Sequence, residues 1–144
     1  MSKEKWNNIG TNFNLRHSFD STGKEISLDA DYIHYNSFSN QLFNNYFFNA
    51  SGGKIAEDET LRGSLPGDIN IYSVKSDFTL PLKKNAKFEA GVKSSYVETD
   101  NNAIYDNYID GEWVNNAGRT NHFVYKENVN AAYVNLSKQL SKKW

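Results

Sequence analysis

The stretch IGTNFNLRHSFD, from Ile9 to Asp20, decides the fold class because its side chains alternate with a period of two. Its odd positions carry Ile, Thr, Phe, Leu, His and Phe, whereas every even position is glycine or polar. Successive side chains of a β-strand point to opposite faces, so this pattern predicts a strand with one largely apolar and one polar face.

A second alternating stretch follows the turn residues 21–24 and carries its apolar residues at even positions, beginning with Ile26. Pairing Phe19 with Ile26 would close a hairpin whose faces match. This register places Arg16 opposite Asp29 on the polar face, as an opposite-charge pair across the two strands.

The same alternation recurs along the rest of the chain. It predicts strands near residues 8–20, 25–39, 69–80, 87–99 and 122–139, with long loops near 40–68 and 100–121. The residues from Ser141 to Trp144 resemble the start of another short turn. We therefore treat residues 1–144 as a single β-segment.

The last predicted strand has the least regular alternation. Its odd positions, such as Phe123, Tyr125 and Tyr133, are assigned to the apolar face, although Glu127 falls among them. Alanine, valine and leucine also occur at even positions 132–136, and a β-bulge could switch the faces.

Two features favour a membrane barrel over a soluble sheet. The predicted connections alternate between short and long, as do the periplasmic turns and extracellular loops of outer-membrane barrels. Charged side chains also fall on the polar face, where a barrel lumen tolerates them: Arg16, Asp29, Asp31, Lys75, Asp77, Glu89 and Lys93. The expected fold is an all-β, antiparallel up-and-down meander of about five strands, forming a partial segment of a large transmembrane β-barrel.

Aromatic residues on the apolar faces lie near the predicted strand ends. They form either the aromatic girdle of a membrane barrel or ordinary strand packing. The residues concerned are Phe19, Phe78, Phe88, Tyr72, Tyr96 and Phe123.

Composition narrows the function classes. Hydrophobic residues make up 38% of the chain, mean hydropathy is −0.72 and the net charge is −1. No basic stripe is present that would neutralise a phosphate backbone, so we expect no nucleic-acid partner. Cysteine is absent, which excludes disulfides and thiolate metal sites.

Three stretches resemble TonB-dependent receptors of the Bacteroidetes type, within the outer membrane protein β-barrel family. They are DYIHY from Asp31, YSVKSDFTLPL from Tyr72 with KFEAGVK from Lys87, and FVYKENVNAAYV from Phe123. Together they cover most of the chain outside the two long loops.

The resemblance implies a 22-stranded barrel in the bacterial outer membrane, plugged by an N-terminal domain, that imports a scarce nutrient through coupling to TonB. No segment here resembles the plug or the TonB contact, so we expect the chain to be a fragment of that receptor. Its expected partners are outer-membrane lipid, TonB through the missing plug, and an unidentified nutrient. Five strands cannot close a barrel, so the isolated fragment could associate edge to edge with another copy.

The residues carry little that indicates catalysis. Asp29 and Asp31 share a face and could share a proton, but Arg16 gives them a simpler role as charge partners. The acidic residues of the second loop lack the spacing of a calcium-binding loop, and the three histidines do not converge. We expect no enzymatic activity, no metal and no cofactor.

The aromatic residues of the two long loops are the candidates for ligand contact. They offer stacking surfaces for sugars, peptides or chelates, or else they pack the loops against their neighbours. These candidates are Phe47, Phe48, Tyr105, Tyr108 and Trp113.

One alternative class remains open, a soluble lipocalin-like β-barrel or sandwich that binds a small ligand. In that case the apolar face would line a closed interior; in a membrane barrel it would face outward. The residues that discriminate the two are Phe13, Leu15, Leu28, Tyr32, Phe78 and Val92.

Overall fold

The structure, a computed structural model, describes residues 2–139 and consists of strands and their connections. The strands are β1 (Ser2–Ser18), β2 (Glu25–Asn45), β3 (Glu59–Leu82), β4 (Ala86–Ile109), β5 (Glu112–Asn115) and β6 (Asn121–Lys138). They form one sheet in the order β1-β2-β3-β4-β5, and β6 also pairs with β4. The predicted all-β antiparallel meander is confirmed, with the short β5 as a sixth strand. The turn predicted at residues 141–144 lies outside the described residues.

Within residues 2–139, no helix is long and apolar enough to cross a membrane. The chain divides into two compact units. The turn-end unit comprises residues 9–34, 70–98 and 126–139, and contains the short turns between strands. The loop-end unit comprises residues 2–8, 35–69 and 99–125, and contains the longer connections.

The first hairpin, in the turn-end unit, has a different register from the predicted one. The backbone N–H of Phe19 donates to the carbonyl of Lys24 at 2.9 Å, and Asn14 donates to Asp29. Arg16 therefore approaches Glu25, at 3.9 Å, instead of facing Asp29.

The turn itself accounts for the corrected register. Asp20 accepts a hydrogen bond from the N–H of Thr22 at 2.8 Å, and Gly23 takes a positive φ of 93°. These features close the chain over four residues between Phe19 and Lys24. A shift of two residues leaves both faces as predicted, because the side-chain period is two.

The face predicted for the last strand is wrong. Tyr133 donates to Asp77 at 2.8 Å and Asn135 donates to Glu89 at 3.1 Å, so the odd positions of β6 share the face that carries the charges. The even positions share the opposite face, where Ala132 and Val134 line a shallow groove with Phe78. No bulge is needed, because Ser94 pairs with Asn130 in the same register that joins Glu89 to Asn135.

In the loop-end unit, the strands extend into both segments that were expected to be loops. β2 continues to Asn45, β3 begins at Glu59 and β4 reaches Ile109. Pro66 lacks an N–H for the ladder, yet β3 passes through it. Polar side chains support the pairing beside it, since Asn36 donates to Asp68 at 2.9 Å.

Three connections remain in the loop-end unit, at residues 46–58, 110–111 and 116–120. The tip, residues 46–58, is held by local backbone hydrogen bonds, including Ile55 N–H to Phe47 O at 3.0 Å. Asp110 and Gly111 form the turn that the sequence indicates, with φ values of 50° and 91°, and place Ile109 opposite Glu112.

Few side chains of the described sheet are enclosed. Leu61, 6% exposed, is the one buried hydrophobic residue within 2–139. Phe13 is 57% exposed and Val92 is 59% exposed. The structure therefore has the two exposed surfaces of an open sheet.

Candidate ligand-binding site and membrane-facing surface

The charged face of the turn-end unit is a network of paired polar side chains. Lys75 lies 2.5 Å from Asp77, and Lys87 lies 2.7 Å from Glu89. Asn12 donates to Asp31 at 2.6 Å. Four of the seven charges assigned to this face from the sequence, Asp29, Asp31, Asp77 and Glu89, thus accept hydrogen bonds from side chains on other strands. That this face lines a lumen stays a prediction.

Gly91 lies at the centre of this face. A Cβ atom at Gly91 would lie 2.3 Å from Cε1 of Tyr133 and 2.4 Å from Oδ1 of Asp77. The missing side chain leaves the space through which the Tyr133 ring crosses β4 to reach Asp77 on β3. Glycine is therefore required here for a close approach, without a positive φ.

The opposite face carries a row of three tyrosines across β2, β3 and β4. The ring centroids of Tyr32 and Tyr72 are 5.0 Å apart, and those of Tyr72 and Tyr96 are 6.3 Å apart. Tyr32 donates its hydroxyl to Asn70 at 3.0 Å, and Tyr96 donates to Glu98 at 3.1 Å. The rings join the apolar surface while their hydroxyls reach polar side chains.

Polar groups continue on the far side of this tyrosine row. Lys126 lies 3.1 Å from Glu98, and a ring nitrogen of His34 lies 3.0 Å from Asn70. In the other direction β4 presents Phe88, Ala90, Val92 and Ser94, as far as the turn before Ala86. The tyrosine row therefore marks the edge of an apolar band.

The loop-end unit brings two of the predicted aromatic candidates together. Tyr108 and Trp113 face each other across the β4–β5 turn, with ring centroids 5.1 Å apart. Both rings are exposed. The geometry therefore offers an accessible aromatic pair.

The other three candidates occupy different positions. Tyr105 packs over Gly63, where an added Cβ would lie 2.9 Å from Cε1 of the ring. Phe47 and Phe48 lie in the tip, and Phe48 forms an isolated bridge with Lys54. Their contact with a ligand stays a prediction.

Arg62 is the functional candidate that the sequence analysis missed. Its guanidinium lies over Trp113, 4.6 Å from the ring centroid, and its Nε donates to Asp106 at 2.8 Å. The second carboxylate oxygen of Asp106 accepts from Asn115 at 3.4 Å. Arg62 lay inside a segment expected to be a loop, and no sequence signal placed it beside Trp113.

A cavity of about 430 Å³ adjoins Arg62 in the same unit. Its lining includes Lys3, Asn40, Ser64 and Asp106. We call it the Arg62 pocket. Its volume lies within the range of ordinary small-molecule sites.

A second polar cluster surrounds Glu59. The carboxylate accepts hydrogen bonds from Asn45 at 3.0 Å, Asn107 at 3.2 Å and both terminal nitrogens of Arg119 at 3.3 Å. The bond from Asn45, followed by the charge of Arg119, lowers the pKa of Glu59 below its ordinary value. Glu59 therefore ties the connection at residues 116–120 to β3.

Among residues 2–139, no group of three histidine, cysteine or acidic side chains is arranged to hold a metal ion.

The two-faced antiparallel sheet, with a charged side and a tyrosine-edged apolar side, has the architecture of an outer-membrane barrel wall. A family comparison agrees: residues 17–144 match the outer membrane protein beta-barrel family. The chain belongs to this family, and its location is the bacterial outer membrane. A search of curated proteins gave no match.

The soluble lipocalin-like alternative gains no support from the structure. It requires the apolar face to be enclosed, but Phe13, Leu15, Tyr32 and Val92 are all exposed.

Proposed function

We propose that this chain forms part of the wall of a TonB-dependent outer-membrane receptor, which binds a nutrient outside the cell and imports it without catalysis. The barrel would be closed by further strands that pair with β1 and β6. The family membership and the sequence resemblance support this function. The single observation that carries the membrane assignment is the row formed by Tyr32, Tyr72 and Tyr96.

The length of the apolar band supports the assignment. From Phe88 to Tyr96, β4 has nine residues, which begin close to the turn that joins it to β3. A transmembrane strand needs roughly 9 to 11 residues. The tyrosine row would then lie at one membrane interface, with Phe19 and Phe88 near the other.

The faces of the band support the same orientation. The charged network around Asp77 would face the water-filled or plugged interior, where ion pairs keep their hydration. Val92, Val134 and Leu136 would face acyl chains, and all three are well exposed in the sheet.

The membrane assignment can be tested with single tryptophans in the assembled barrel. A tryptophan at Val92 should be quenched by brominated lipid, whereas one at Lys93, the next residue, should respond to a water-soluble quencher. The reverse pattern would overturn the assignment of the two faces.

The import role needs a separate test. Uptake of the nutrient by cells should stop when tonB is deleted, while binding to the cell surface persists. Uptake that continues unchanged without TonB would refute energised import and leave the membrane assignment intact.

A further inference from the structure

Arg62 is held in one orientation by two neighbours. The Arg62 guanidinium lies over the Trp113 ring, 4.6 Å from its centroid, and the Asp106 carboxylate accepts from Nε at 2.8 Å. A guanidinium that is fixed in this way loses little further entropy when it forms another hydrogen bond.

The remaining donors of Arg62 form a fork. Within residues 2–139, the structure gives no hydrogen-bond acceptor for the terminal nitrogens Nη1 and Nη2. Arg119 in the same unit differs, because both of its terminal nitrogens donate to Glu59 at 3.3 Å. Such a fork matches the two oxygens of a carboxylate or phosphate group.

The Arg62 pocket has the charge and polarity for such a group. Lys3 and Arg62 bring two positive charges to its lining, and Asp106 brings one negative charge that is already bonded to Arg62 and Asn115. Asn40 and Ser64 add neutral hydrogen-bonding side chains. An incoming anion therefore meets a net positive lining.

We propose that the Arg62 pocket binds a small molecule through a carboxylate or phosphate group, with the anion on the Nη1/Nη2 fork of Arg62 and Lys3 as a second cation. Trp113 and Tyr108 lie beside the site and contact the apolar part of the ligand. Asp106 is a positioning residue, which fixes the guanidinium plane. This inference goes beyond the proposed function, and it does not depend on import through TonB.

Calorimetric titration of the intact protein in detergent tests the proposal, with citrate and inorganic phosphate as anionic probes and maltose as a neutral probe. We expect citrate to bind and to weaken as salt is added. Arg62→Gln should lower citrate affinity at least about tenfold, since it removes a charge-assisted pair of hydrogen bonds. Arg62→Lys should fall between wild type and Arg62→Gln, because it keeps the charge and loses the fork.

Arg119→Gln is the matched control, because its terminal nitrogens are engaged by Glu59; citrate affinity should stay within about twofold of wild type. Asp106→Ala separates positioning from simple electrostatics. Because Asp106 positions Arg62, we expect Asp106→Ala to weaken citrate binding. If Asp106 contributed only its negative charge, the substitution would tighten citrate binding instead.

Three results would overturn the proposal: equal citrate affinity in wild type and Arg62→Gln, tighter binding of maltose than of either anion, or no anion binding at about 1 mM. A neutral ligand that needs Trp113 but not Arg62 would overturn the ligand class and leave the receptor function standing. Citrate binding by a protein whose nutrient uptake does not require TonB would leave the anion site standing and refute energised import.

Discussion

The hydroxyl of Tyr133 on β6 lies 2.8 Å from a carboxylate oxygen of Asp77 on β3, although β4 separates the two strands. The ring crosses β4 at Gly91, where no side chain blocks it. One contact thus fixes the register of three strands.

Gly91→Ala should destabilise the sheet by about 1–3 kcal/mol, because the added methyl group would overlap both Tyr133 and Asp77. Thermal unfolding of the assembled barrel measures this change. Gly10→Ala is the control, since a Cβ there meets Ile33 at an ordinary 3.8 Å. An equal effect of the two substitutions would contradict the crossing role of Gly91.

Val92→Lys should prevent stable insertion into the membrane. Val92 lies midway between Phe88 and Tyr96 on the apolar face, where a charge costs about 2–4 kcal/mol in lipid. Ser95→Lys places the same charge on the opposite face and should be tolerated. Denaturant unfolding in vesicles compares the two variants, and equal stability would refute the lipid contact of Val92.

Acid should release the connection at residues 116–120 from β3. The pKa of Glu59 is lowered from 4.5, so its bonds contribute fully above that value and are lost as the pH falls through the lower folded pKa. The protection factors against hydrogen exchange of the Arg119 and Thr120 amides, both bonded to the Asn116 carbonyl, should therefore fall below pH 4.5.

Two variants isolate the Glu59 effect. Glu59→Gln should lower the protection factors at neutral pH and abolish most of their acid dependence. Asp100→Asn should keep the acid dependence, because Asp100 bonds to His122 instead of Arg119. Acid dependence that survives in Glu59→Gln would assign the effect to another carboxylate.

In the proposed receptor, Trp113→Ala should weaken ligand binding by about 1–3 kcal/mol, since stacked aromatic anchors dominate binding energy at such surfaces. Phe48→Ala should have a smaller effect, because Phe48 belongs to the separate tip. Surface-binding assays on whole cells compare these variants at equal expression. A larger loss of binding affinity in Phe48→Ala than in Trp113→Ala would indicate that the ligand site lies at the tip.

Local patterns predict the sheet well, because alternation reports which face each side chain occupies. They place Asn14 and Asp29 on one face, and the hydrogen bond between these two side chains agrees. Register is harder to predict, since Phe19 pairs with Lys24 only through the geometry of a particular turn. Strand ends are equally hard, because polar ladders such as Asn36–Asp68 carry no apolar signal.

The aromatic residues of β6 led to the wrong face assignment for a physical reason. A tyrosine has an apolar ring and a polar hydroxyl, so Tyr133 fits a charged face when Asp77 accepts its hydrogen bond. The Arg62 pocket depends on contacts between residues distant along the chain, such as Arg62 and Asp106. Alternation within one strand contains no information about such contacts.

The tip, residues 46–58, carries much of its own backbone hydrogen bonding, as in Asn49 N–H to Gly53 O at 2.8 Å. Its sequence can therefore diverge without disturbing the strands that support it. On a cell surface, antibodies and phages would select for such divergence. An epitope tag of similar length grafted between Asn45 and Glu59 should accordingly be displayed without loss of folding.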